Sequence, residues 1–467
     1  MNMSMNEQPV TFFKPKQFSE QKTVPLVVPE EINIQSEVRE KIHEKKGSAN
    51  RYVWIIVDAL ASDIEPTPEL LAELLINQKH ELPHLVSGVM ERTCNLQCAH
   101  CLYQEEKSSA AISQEAHLGE RIINIVSQMP PQCKEPRAEY NPKFLSIGRI
   151  LRPWHLDVFA ELRRLRSDVQ LGVIDNGSYT KLLSKWPADF KFDWMDISVD
   201  GIEASHNEQR QSPKAFAQAI EGLKRAREVT RSPEEGGYVS SLLTLTRVNA
   251  RDIEAVADTL LAVPEGGVLP LADKFNITTV GPTNEINRQL ETDNGDFREA
   301  WEQIKKVCQK YNREDKQRTV FGIYRVQDIE KLAAAVGERR FLEVFTAKDD
   351  SLPDLEVERN FLDLEFDGVP IRYQPLSIWT PEEFPIDADG SYLAAYAVKH
   401  TLDELRAGKA KDGADTTSYT FETLTAKTDF RESFESAVDQ YWIRFGKQRL
   451  QDEIAAFKRI REKAKSQ

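Results

Sequence analysis

Cysteine is scarce in this chain: five residues in 467. That supply is too thin for a disulfide framework and excludes the small secreted scaffolds that depend on one. Long apolar runs are missing too. Stretches such as "WIIVDALA" are among the longest and fall far short of the about 20 residues that cross a bilayer. No membrane association is expected. Basic residues are not in excess, since 61 Lys and Arg stand against 75 Asp and Glu for a net charge of −14. That balance argues against general nucleic-acid binding. "MNMSMNEQPV" lacks a basic segment followed by an apolar one, so no secretion signal is expected, and a reducing, cytoplasmic compartment fits the cysteine usage.

What is present is a largely globular composition, 40% hydrophobic and 29% charged, in a chain longer than one compact domain usually needs. Residues 1 to about 50 are polar and dotted with prolines, which predicts an extended arm. "RYVWIIVDALA" reads as a strand. "TPELLAELLINQ" reads as a short helix, capped by Thr67 with Pro68 in its first turn. From residue 84 onward, period-two and period-3.6 segments alternate. The strand candidates are "HLVSGVM", "KFLSIGRIL", "VQLGVIDNG", "FDWMDISVDG", "YVSSLLTLTRVN" and "FNITTVGP". The helices between and after them are "AHLGERIINIVSQM", "WHLDVFAELRRLR", "YTKLLSKW", "AFAQAIEGLKRARE", "ARDIEAVADTLLA" and "FREAWEQIKKVCQKY". Such a series predicts an α/β fold, a parallel sheet with helices outside it. Beyond about residue 315 the alternation weakens. A hairpin is expected around Asp367-Gly368, a helix over 391–408, a surface loop after it, and a charged terminal helix interrupted at Gly446.

Three of the five cysteines crowd into eight positions, Cys94, Cys98 and Cys101 in "ERTCNLQCAHCLY". Buried structural cysteines do not cluster in this way. A zinc site wants four ligands, and no downstream Cys or His pair supplies them, although His80, His84 and His100 are near in sequence. Three soft thiolates suit a cubane iron–sulfur cluster held at three of its irons, with the fourth left open to a small ligand. The loop follows the first strand of the alternating region, the end at which β/α barrels carry their chemistry.

Cys-x3-Cys-x2-Cys at that position, with six β/α units behind it, resembles the radical S-adenosylmethionine (radical SAM) superfamily over roughly residues 81–285. The resemblance implies a partial (β/α)6 TIM-like barrel over 81–314. An N-terminal extension (1–80) would help grip substrate, and a mixed, mainly helical region (315–467) would cover the active site. It implies one 4Fe-4S cluster on Cys94, Cys98 and Cys101, and S-adenosyl-L-methionine on its open iron. His100 stands where the superfamily places an aromatic residue. Asn176 and Gly177 keep a strand-end Asn-Gly turn, with Asp175 departing from the pattern. "DISVDG" matches well, which makes Ser198 a ligand for the methionine moiety and Asp200 a turn-shaping residue. "ASHNEQRQSPKAF" offers Arg210 to the cofactor carboxylate, where a guanidinium fork fits. Asn249 follows the fifth strand. After the second strand only Gly148 survives of the usual Gly-Gly-Glu-Pro, and Arg149 replaces the acidic residue.

The activity implied is reductive cleavage of S-adenosylmethionine, followed by hydrogen abstraction from a peptide or a small natural-product metabolite. The electron would come from a flavodoxin- or ferredoxin-type donor. Cys133 and Cys308 alone cannot hold a second cubane, so a redox-neutral outcome is expected. Cys308 reads as core, and Cys133, in "MPPQCKEP", as a loop thiol. Two other readings stay open: a barrel that has lost catalysis and serves as a binding scaffold, and a zinc-dependent hydrolase built on the same loop.

Overall fold

From Leu85 onward each strand is short and ends in a turn, and each following helix carries one apolar stripe. This is the pattern that lays strands side by side and packs helices across them. The structure, a computed structural model, describes residues 85–89, 94–101, 115–129, 133–135, 138–140, 142–147, 153–178, 187, 189–280, 285–312, 318–323, 325–346, 362–373, 383–386 and 447–467. The expected elements over 51–78, 179–186 and 391–418 lie outside these residues.

The strands are β1 (Leu85–Val89), β2 (Cys133–Glu135), β3 (Ala138–Tyr140), β4 (Lys143–Ile147), β5 (Gln170–Asp175), β6 (Trp194–Ser198), β7 (Tyr238–Leu245), β8 (Lys274–Thr279), β9 (Thr319–Ile323), β10 (Leu362–Phe366), β11 (Val369–Tyr373) and β12 (Glu383–Ile386). The helices are α1 (Glu115–Gln128), α2 (Pro153–Leu165), α3 (Glu203–Arg210), α4 (Ala215–Val229), α5 (Ile253–Leu261), α6 (Glu285–Gln289), α7 (Asn294–Tyr311), α8 (Val326–Val336), α9 (Glu338–Thr346) and α10 (Lys447–Ser466).

The main sheet has ten strands in the order β10-β11-β9-β8-β7-β6-β5-β4-β1-β12. Within it, β10 and β11 pair antiparallel and every other pair is parallel. The six expected strands (β1, β4, β5, β6, β7, β8) lie next to one another in chain order. Among the described strands the two edges, β10 and β12, do not meet, so the barrel is partial. The parallel run does not fade at residue 315: β9 adds beside β8 and β11 beside β9, with α8 and α9 following β9. The hairpin at Asp367-Gly368 forms as its sequence predicts. Both residues take positive φ, 53° and 78°, as a two-residue hairpin turn requires. Cys133, expected in a loop, instead opens β2, which pairs with β3 in a separate two-stranded sheet.

The sheet has one buried face and one half-open face. Leu171 and Val173 (β5), Met195 and Ile197 (β6), Val239 and Leu243 (β7) and Phe275 and Ile277 (β8) join the core under the helices. The alternate positions Leu145, Ile174, Ser198, Leu242, Asn276 and Val320 are only partly buried, and they line the concave side. The helices supply the other half of the core. In α7, capped by the Asp293 carboxylate on the Asp296 N–H, the residues Phe297, Ala300, Trp301, Ile304, Val307 and Cys308 form the buried stripe. Cys308 is thus core, as expected. The terminal helix α10 packs in the outer layer on α8 and α9, with Phe457 against Phe341 and Arg459 paired to Glu330; the expected interruption at Gly446 lies outside the described residues.

One close approach fixes the site's frame. Gly177 ends β5 at φ 75°, and a Cβ on Gly222 of α4 would lie 2.5 Å from the Gly177 Cα. On an ordinary helix surface Gly→Ala adds up to ~1 kcal/mol of stability. Here Gly222→Ala should lower stability by ~1–3 kcal/mol, because backbone meets backbone and neither yields cheaply. Urea unfolding checks this: a midpoint equal to or above wild type would contradict the packing.

Candidate functional site

The cysteine loop has little structure of its own and is held by what surrounds it. A single turn, the Cys101 N–H on the Cys98 carbonyl (3.1 Å), shapes its end. The Ala99 N–H donates to the Gln209 carbonyl at 2.8 Å, which ties the loop to α3. Asn176 at the end of β5 donates from Nδ2 to Cys94 Sγ (3.6 Å) and to Asn95 Oδ1 (3.2 Å). Asn176 is held in that place by its neighbours: the Asp175 carboxylate accepts the Gly177 N–H at 2.6 Å, and Gly177 supplies the left-handed turn.

The other grip is Asp200, just past β6. Its carboxylate is fully buried. Oδ2 accepts from Arg210 Nε and Nη2, both at 2.5 Å, and lies 3.5 Å from His100 Nε2. Oδ1 accepts the Thr244 N–H at 3.0 Å, which links β6 to β7. The Asp200 N–H donates to His206 Nδ1 (2.9 Å), and the Asp200 carbonyl accepts from Gln209 Nε2 (3.0 Å) and from Asn249. Arg210, also buried, directs Nη1 at Cys98 Sγ, 3.7 Å away. One carboxylate therefore joins the ends of two strands, helix α3 and the middle of the cysteine loop.

The charges follow from this packing. Burial alone would raise the Asp200 carboxyl, but Arg210, His100, His206 and the Thr244 N–H outweigh it and hold it at about 2. Burial pushes the Cys98 thiol up to about 11, with Arg210 pulling the other way. Burial also lowers His100 and His206 to about 4, so both imidazoles are neutral at pH 7. His100 Nδ1 has no hydrogen-bond partner among the described residues.

The donor set fits an iron–sulfur cluster. Among the described residues no three His, Cys, Asp or Glu side chains converge as the ligands of one ion would. The thiols of Cys94, Cys98 and Cys101 still lie near enough for their charges to interact. Three soft thiolates on one short loop are the donor set that can hold a cluster at three of its irons.

Of the residues singled out from the sequence, Cys94, Cys98, Cys101, His100, Asn176 and Arg210 come together here. Ser198 ends β6, partly exposed on the concave face two residues before Asp200. Gly148 lies outside the described residues. Asn249 is buried and bonds the carbonyls of Asp200 and Thr244, so it stitches β6 to β7. Sequence reasoning missed the part Asp200 plays and took it for a turn residue. The available signal was its spacing of two from Ser198, which puts both on one face.

His206 gives this network a pH signature. Its folded pKa, about 4, lies below the ordinary 6.5, so the unfolded chain binds a proton that the folded chain does not. That contribution to stability is present above pH 6.5 and is lost as pH falls toward 4. His206→Asn keeps an acceptor for the Asp200 N–H and should flatten the loss over this window by about one proton. Urea midpoints at several pH values measure it, and an unchanged slope would contradict the neutral, buried His206.

No family model matches the chain. A search of curated proteins finds similarity to Fe-coproporphyrin III synthase of Methanosarcina barkeri, 26% identical over 205 residues, 41% of this chain and 44% of that protein. The matched stretch thus spans less than half of that relative. Among solved structures, the chain is similar to Streptococcus suis SuiB bound to the precursor peptide SuiA (TM-score 0.46, 11% identity, 78% of this chain and 67% of that one). It is also similar to anSMEcpe with bound AdoMet (TM-score 0.38, 11% identity, 78% of this chain and 99% of that one). Among the described residues no helix is long and apolar enough to cross a membrane. The Cys-x3-Cys-x2-Cys loop that follows the first strand of a parallel β/α sheet, together with this likeness over 205 residues, agrees with the resemblance to the radical S-adenosylmethionine superfamily.

Proposed function

We propose that this protein is a radical SAM enzyme that modifies a peptide or a small natural-product metabolite. The observation that carries the reading is the set of three thiols in one loop, gripped by Asn176 from β5 and by Asp200 and Arg210 from the β6–α3 end. In this reading Cys94, Cys98 and Cys101 hold the cluster. A cluster held there would supply the electron for reductive cleavage of S-adenosylmethionine, the chemistry that would set up hydrogen abstraction from substrate.

The chain's own residues bind, orient and shield. Asn176 holds the Cys94 end of the loop, and its strand-end position also faces the cofactor. Ser198, on the concave face, donates to the methionine moiety. A backbone carbonyl in the stretch from Ser146 to Gly148 would accept from the cofactor amine. His100, packed against Asp200 with Nε2 3.5 Å from Oδ2, backs the cofactor pocket. The concave belt of Leu145, Ile174, Leu242 and Val320, broken by Asn276, excludes water around an organic substrate. Residues 1–80 and parts of 315–467 would complete that chamber, and a flavodoxin- or ferredoxin-type protein would deliver the electron. Outside the loop the chain has two cysteines, too few for a second cubane, which favours a redox-neutral outcome.

Anaerobic reconstitution with iron and sulfide, followed by dithionite and S-adenosylmethionine, tests the reading. Release of 5′-deoxyadenosine is expected. Iron uptake without any cleavage would instead mark a binding scaffold, and stoichiometric zinc in anaerobically purified protein would mark a hydrolase. Ser198→Ala should keep full cluster content and bind S-adenosylmethionine about tenfold to a hundredfold more weakly, since a hydrogen bond to a charged group contributes ~1.5–3 kcal/mol. Unchanged affinity in equilibrium binding would remove Ser198 from the cofactor site.

A further inference from the structure

Arg210 is expected from the resemblance to meet the cofactor's carboxylate, yet its guanidinium is turned elsewhere. Nε and Nη2 are both spent on Asp200 at 2.5 Å, and Nη1 points at Cys98 Sγ at 3.7 Å. Both partners are buried: Arg210 is 7% exposed, Asp200 fully buried and Cys98 5% exposed. Asp200 is itself fixed by the Thr244 N–H and by bonds from His206, Gln209 and Asn249 to or from its own backbone. The guanidinium is thus locked on one sulfur of the three. Cys94, by contrast, receives the neutral amide of Asn176.

We propose that Arg210, positioned by Asp200, is a cation hydrogen-bonded to the Cys98 thiolate that raises the reduction potential of the cluster, making it easier to reduce. The inference rests on the radical SAM reading, because it presumes a cluster on Cys98. The physics is direct. Reduction adds negative charge to the iron–sulfur unit. A buried guanidinium beside one of its sulfurs stabilises the reduced form more than the oxidised one, and N–H donors to cluster sulfurs act in the same direction. In a buried site this attraction is weakly screened. Arg210 is therefore a positioning and tuning residue that acts through Cys98. Its partner Asp200 sets where the charge sits.

The test is the cluster's midpoint potential, followed by electron paramagnetic resonance in reconstituted protein without S-adenosylmethionine and with iron content matched between variants. Arg210→Gln should shift the potential to more negative values, lowering the reduced-to-oxidised ratio at fixed solution potential about tenfold, ~59 mV for one electron. Arg210→Lys keeps the charge but loses the fork, and its shift should be smaller in the same direction. Equal potentials in wild type, Arg210→Gln and Arg210→Lys, with only cofactor affinity lost, would overturn the proposal and return Arg210 to the carboxylate. If a variant fails to assemble a cluster, the wild type supplies the answer. Protein labelled with 15N-arginine should show guanidinium nitrogen coupling to the reduced cluster in pulsed resonance, and absence of that coupling would overturn the proposal. A wild type that takes up no cluster at all refutes the radical SAM reading, a result distinct from either of these.

Discussion

A single buried carboxylate organises the cysteine-loop end of the sheet. Asp200 is fully buried and charged, a state that is costly unless its partners are complete. Arg210 provides the opposing charge. Thr244, His206, Gln209 and Asn249 supply backbone and side-chain bonds that leave no slack in position. Removing one member of such a pair typically costs ~3–5 kcal/mol, because the other is left charged and unpaired. The cysteine loop hangs on this arrangement through Cys98, His100 and the Ala99–Gln209 bond.

The frame that presents Asp200 is ordinary β/α packing with one feature of its own. The strands bury their outward positions completely and leave the inward ones half open, so the same six or seven strands make both a core and a chamber. Close approach of α4 to the end of β5, glycine against glycine, sets Asn176 at the loop's other side. Two strand ends on either side of a short loop leave its thiols little freedom, which suits a rigid multi-iron cluster.

Much of this was legible in the sequence because it is written locally. The six strands announce themselves by period-two alternation and the helices by apolar stripes, and Asp367-Gly368 names its own turn. The cysteine spacing is equally local. What stayed hidden depends on distance along the chain. Arg210 and Cys98 meet across 112 residues, and His100 reaches Asp200 across a similar gap. No short window holds that information, so Asp200 looked like a turn residue and the contact between Arg210 and Cys98 went unseen. The strand β9, and the place of β11 in the sheet, were missed for a related reason. Each is five residues long, and β11 looked like half of a free hairpin, while its place in the sheet comes from pairing with β9.

The central claim is that three thiols of one loop hold a cluster with one iron left open. Mössbauer spectroscopy on protein reconstituted with 57Fe tests it most directly. The account predicts a 4Fe–4S signal in which adding S-adenosylmethionine shifts one iron away from the rest, because that iron alone lacks a cysteine. A signal unchanged by the cofactor, or a preparation that holds zinc in place of iron, would contradict it.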